Sequence, residues 1–152
     1  MLDAFHIIGG LAPNADAFAG TKATDIFEVA GEGAGFIYWM GTNDDNAYSV
    51  ITVLACDDTT PTTTHAVAFK YKACTTLDTW GDWTEATTAG FSTSATSDNI
   101  YLIWVDAAEI AHIGYKYVKL QAVEGDDHPV DGVVVAFVVN PRYQAQPQSL
   151  ID

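Results

Sequence analysis

The sequence predicts an all-β chain: an antiparallel β-sandwich, jelly-roll-like, with seven or eight strands and one short helix. Three observations predict it. Runs of β-branched and aromatic residues recur at fairly even spacing, with Gly, Asp, Asn and Thr clusters between them. Three of those runs, 36–40, 100–105 and 133–139, are apolar at odd and even positions alike. Side chains alternate across a strand, so such runs are wet on neither face. One segment only, beginning at Asp106, carries a helix-start pattern.

Taken in order, Met1–Gly20 is rich in Ala and Gly and shows no sustained period, so it reads as an arm. Phe5, Ile7, Ile8 and Leu11 are its apolar residues. Either the arm folds back on its own domain or a neighbouring subunit covers it. Residues 24–29 read as a first strand, with Ile26 and Phe27 on opposite faces. The GEGAG at 31–35 reads as a flexible turn. A strand at 36–40 follows, then a turn-forming GTNDDN, then a long β-branched strand over 48–56. After the polar DDTTPTTT, residues 65–72 alternate: His65, Val67, Phe69 and Tyr71 against Ala66, Ala68, Lys70 and Lys72. That period predicts one half-buried strand.

Residues 75–99 are polar and rich in Thr and Ser, with Trp80 and Trp83 set in TWGDW. These two are packing anchors for a loop or a flat platform for sugar rings. The strand at 100–105 runs into Asp106, an N-cap with Glu109 three residues on, and Gly114 limits the helix to a turn or two. A strand over 115–124, the turn EGDDHP and the strand in VDGVVVAFVVNPRY complete the sandwich, and Pro141 stops the last ladder. The divisions are thus an arm (1–20), a sandwich domain (21–143) and a polar tail (144–152) ending in Leu150 and Ile151.

Composition narrows the function. Six basic residues against twenty acidic ones give a net charge of -14. That field repels phosphate backbones and anionic lipids, so direct nucleic-acid or membrane binding is not expected. No apolar run approaches the ~20 residues of a membrane span, and no signal-peptide pattern opens the chain. His6, His65, His112 and His128 lack any ligand spacing. No GxSxG or Walker-type loop is present. The pairs Asp44-Asp45, Asp57-Asp58 and Asp126-Asp127 sit in turns; they are solvated turns or weak calcium loops, without the EF-hand spacing. Cys56 and Cys74 are reduced packing thiols or one disulfide. A hairpin turning near 60–62 would set Cys56 opposite about Thr64. No catalytic residue, cofactor or metal is expected.

The order ADAFAGT (15–21), ACDD (55–58), AFKYK (68–72), TWGDWTEAT (79–87), GFST (90–93), NIYLIWVDAAEIA (99–111), YKYVKLQAVE (115–124) and GVVVAFVVNPRY (132–143) resembles a family of tailed-bacteriophage proteins. These are small head-associated virion structural proteins encoded beside the major capsid gene. The resemblance spans about residues 15–145. It implies a non-enzymatic capsid decoration (cement) protein on the outer surface of a phage head, bound to the major capsid protein. It implies a trimer at local threefold positions, assembled in the bacterial host cytoplasm. The family lends no active-site residues.

The excess of two-sided apolar strands points the same way, because a sandwich strand has one outer face that something must cover. The expected interface residues are Phe5, Ile7, Ile8, Leu11, Tyr143, Leu150 and Ile151. Two other readings remain: a carbohydrate-binding sandwich using Trp80 and Trp83, and a tail-associated component of the same virion.

Overall fold

The computed structural model describes residues 5–29, 31–43, 46–76, 78–95 and 98–139. Within them two antiparallel sheets pack face to face. The seven-stranded sheet runs in the order β1 (Phe5–Asn14), β13 (Val130–Val139), β4 (Gly33–Asn43), β11 (Asn99–Asp106), β7 (Phe69–Thr76), β8 (Thr79–Trp80), with β9 (Thr84–Ala86) also on β7. The six-stranded sheet runs β10 (Phe91–Ser92), β5 (Ser49–Cys56), β12 (Tyr117–Glu124), β2 (Thr21–Ala23). In it β3 (Phe27–Glu28) also pairs with β12, and β6 (Thr64–Val67) with β5. One helix, α1 (Ala107–His112), caps the end of β11. Eight of these strands have four residues or more, and five are shorter.

The core is the alternate residues of each long strand. Phe36, Tyr38 and Met40 of β4, Ile103 and Val105 of β11, and Val134, Ala136 and Val138 of β13 face Ile51 and Val53 of β5 and Val118 and Leu120 of β12, all fully or almost fully buried. Burying side chains of this size stabilises by about 1.5–3 kcal/mol each. Aromatic rings knit the layers: Phe18 stacks on Tyr38 at 4.4 Å, and Phe27 tilts against Phe36 at 5.7 Å. Several polar groups inside find partners. Tyr38 Oη lies 3.0 Å from Ser49 Oγ, the Ser49 N–H donates to Thr93 Oγ1, and the Leu120 N–H donates to Thr24 Oγ1.

The three segments apolar on both faces turn out to be neighbours. β13, β4 and β11 form the centre of one sheet, so their second apolar faces merge into a single outer surface. Several expectations change. Residues 5–20 follow the first of the two alternatives and fold back on the chain's own sheets. β1 pairs with β13 over its length, Ile8 and Leu11 pack against the core, and Ala17 and Phe18 are buried in it. Two irregularities in the β1 ladder and two glycines, Gly9 and Gly10, hid the strand period.

The 65–72 run is two strands, not one. It changes sheets at Ala68, from β6 to β7, and the inward alternation continues through the corner. The 24–29 strand shrinks to β3, and the polar 75–99 stretch carries β8, β9 and β10. In GEGAG, only the first part turns. Gly31 has φ +91°, whereas Gly33 and Gly35 lie inside β4. The β5–β6 hairpin does set Cys56 opposite Thr64. Cys56 and Cys74 are free and buried.

Burial pushes the Cys56 thiol up to about 11, with Lys119 opposing, and raises Tyr38 and Tyr101 above the ordinary phenol range. For each group the unfolded chain therefore loses its proton first. Stability should be unaffected by these groups below pH 9 and fall as pH rises from about 9 to about 11. Urea titrations across that window check this; a flat profile would show that these groups are as solvated folded as unfolded.

Candidate functional site

Residues opposite each other in a ladder point to the same side. On the outer side of the seven-stranded sheet this gives three apolar rows. The first joins Val133, Trp39, Ile100 and Cys74, and the second Val135, Ile37, Leu102 and Lys72. The third joins Ile7, Phe137, Gly35, Trp104 and Lys70. Trp39 is 48% exposed, Ile37 38% and Ile7 68%. No carboxylate stands in the first two rows; the third continues from Lys70 to Glu85 of β9. The outer side of the other sheet differs: Thr52, Lys119 and Gln121 alternate there with smaller apolar residues.

Two glycines shape this surface. At Gly35 a Cβ would overlap the Phe137 ring, and at Gly33 it would overlap the Trp104 ring and the Val105 carbonyl. Their absence of side chains lets both rings lie down over β4, and a shallow hollow of about 500 Å³ opens there. Its walls are Trp83, Trp104, Leu102, Phe137 and Val139, and Lys70 and Asp106 stand at its rim. A second hollow of about 200 Å³ adjoins it beyond Trp104 and Lys70, toward Glu85 and Glu109. The outer side of β4 thus holds a depression at its Gly33–Gly35 end and a projection, Ile37 and Trp39, at the other.

All four tryptophans of the chain belong to this side. Trp80 stands opposite Cys74 on β8. Lys72 Nζ lies over both Trp80 and Trp83, 5.0 and 5.1 Å from the ring centroids. An ammonium over two indole faces gains cation–π attraction. It occupies one face of each ring, and both rings are half-exposed.

Asp106 departs from the expected capping role. It is the N-cap of α1, yet its side chain makes no cap hydrogen bond; Oδ1 accepts instead from the Trp104 indole N–H at 2.7 Å. Residues two apart on a strand share a side, so the carboxylate meets the indole before it meets the helix. The bond fixes the Trp104 wall of the hollow.

The other sequence candidates fall elsewhere. Of the expected interface residues, Ile7 projects from this surface, Ile8 and Leu11 point into the core, and Phe5 pairs with Val139. Tyr143, Leu150 and Ile151 lie outside the described residues. Asp57 accepts hydrogen bonds from Thr62 and Thr63, and Asp58 from Thr59, so these carboxylates are committed to their own loop. Asp126 pairs with His128 at 3.3 Å, and Asp44 and Asp45 are not described. Among the described residues no three His, Cys, Asp or Glu side chains are grouped to hold a metal. Ile37 and Trp104 were legible as apolar, but their shared surface needed the strand order.

Gly35→Ala should destabilise the fold by about 1–3 kcal/mol, because Phe137 must move out of its seat. Gly81→Ala, where the added Cβ meets ordinary van der Waals space, should stay within about 0.5 kcal/mol. Urea denaturation separates the two; equal effects would show that the glycine floor does not shape the hollow. Comparison with protein-family models, with curated proteins and with solved structures finds no match to this chain.

Proposed function

We propose that this is a non-enzymatic structural protein whose seven-stranded sheet is an assembly surface, working as a decoration (cement) protein on the outside of a phage head. The observation that carries the reading is the continuous apolar outer surface of β13, β4 and β11, with Trp39 and Ile37 standing half in water. Exposed apolar patches beyond a few hundred Å² mark interaction surfaces. The resemblance in strand and turn wording over residues 15–145 supplies the setting. The charge of -14 fits a position outside the shell, away from packaged DNA.

In this reading the protein acts by area. A clamp over capsomer junctions must spread contact across several subunits, and a two-layer sandwich is stiff enough to bear it. The major capsid protein is the partner. Its contact falls on the β1 edge, where Ile7 is presented, and on the tail with Tyr143, Leu150 and Ile151. The trimer implied by the resemblance rests on the resemblance alone.

A second reading has one observation in its favour. Trp83 and Trp104 wall an open hollow with Lys70 and Asp106 at the rim, a pattern that suits a sugar ring. In that case Trp104→Ala abolishes glycan retention on an array.

Heads lacking the protein, mixed with purified chain, should take it up and release DNA at a higher temperature. Ile7→Asp should weaken uptake at least tenfold while changing the melting temperature of the free protein by no more than about 2 °C, since Ile7 is largely exposed. Failure of the wild-type chain to bind heads would overturn the capsid reading.

A further inference from the structure

We infer that the apolar outer surface of the seven-stranded sheet is covered by a second copy of this chain, related by a twofold axis, with Trp39 of each copy seated in the hollow walled by Phe137 and Trp104 of the other. The inference rests on the assembly-surface reading above and names its occupant.

The surface is self-complementary. A twofold interface presents the same patch from both sides, so the patch must carry both a projection and a matching recess. The outer side of β4 carries both. Trp39 stands two residues to one side of Ile37, and Gly35 two residues to the other. Two residues of strand are about 7 Å. Let the axis lie between the sheets and run across the strands over the Val135–Ile37–Leu102 row. Each β4 then lies antiparallel over its mate. Position 39 falls over position 35 of the partner subunit, and position 37 over itself. The indole of Trp39, 48% exposed in the single chain, enters between the Phe137 and Trp104 rings. A hollow of about 500 Å³ has room for an indole. Aligned packing of two sheets is the ordinary way two β surfaces meet.

Area and charge are consistent with a stable pair. Leaving the β1 edge to the capsid protein, four strands about 4.8 Å apart and seven residues of about 3.3 Å each cover on the order of 450 Å² in plan on one copy. Two copies together remove about 900 Å² in plan, and side-chain relief brings this to the lower range of specific interfaces. The Val133 and Val135 rows carry no carboxylate; Asp106, at the rim of the hollow, is held by the Trp104 indole N–H, and Lys70 stands at the same rim. Lys72 falls at the rim, its ammonium already held by Trp80 and Trp83. The long-range repulsion between copies is screened by salt, so association should tighten as salt is added.

Sedimentation equilibrium on the full chain tests the pair. Wild type should be a dimer at tens of micromolar, and Trp39→Ala, a change at an exposed position, should raise the dissociation constant at least tenfold. Ile37→Cys should give a covalent dimer with a bismaleimide spanning about 10 Å, the spacing of packed sheets. Cys56 and Cys74 are buried and do not compete. A wild-type monomer, a Trp39→Ala dimer as tight as wild type, or Ile37→Cys that does not crosslink would each overturn the inference. So would a monomer retained on a glycan array through Trp104. Binding to heads is read separately: a monomer that binds heads overturns the pair alone, and a dimer that ignores heads overturns the capsid role alone.

Discussion

The structure depends on one constraint: the middle of its larger sheet is apolar on both sides. A sandwich has only one dry layer, between its sheets. β13, β4 and β11 fill that layer with Phe36, Tyr38, Ile103, Val134 and their neighbours. They then repeat the pattern on the side where water should be, with Ile37, Trp39, Leu102, Val133 and Val135. The six-stranded sheet does not do this. The asymmetry between the two sheets is what leaves one apolar surface half in water among the described residues.

The glycines of β4 matter for the same reason. A strand with large side chains at 33 and 35 would present a flat or convex surface, and convex surfaces of one shape do not fit each other. Leaving those positions bare lets Phe137 and Trp104 recline, and the recess they frame complements the Trp39 projection a few residues along. Asp106 completes the arrangement by holding the Trp104 indole, at the expense of the side-chain cap its helix would otherwise have.

Much of this was legible in the residues. The strands at 100–105, 115–124 and 133–139 follow from their periods, and the Cys56–Thr64 register follows from the turn chemistry at 60–62. The two-sided apolar runs announce an uncovered surface. What the sequence concealed has physical causes. The 65–72 run keeps one alternation while changing sheets, because the corner preserves which side points inward. β1 is broken by Gly9, Gly10 and a bulge, so its period is lost. Gly33 and Gly35 look like turn residues, since a glycine needed for close approach is spelled like one needed for a bend. The hollow itself joins residues from β7, β11, β13 and the Trp83 loop, and no local pattern encodes that meeting.

Because every tryptophan of the chain stands on this one surface, fluorescence reads its covering directly. Acrylamide quenching of the full chain, followed from tens of micromolar down to nanomolar, is the most direct measurement. A covered surface gives weak quenching at high concentration that rises on dilution, in step with a red shift of the emission. Strong quenching that does not change with concentration would mean that the apolar surface stands bare in water, and the account would fail.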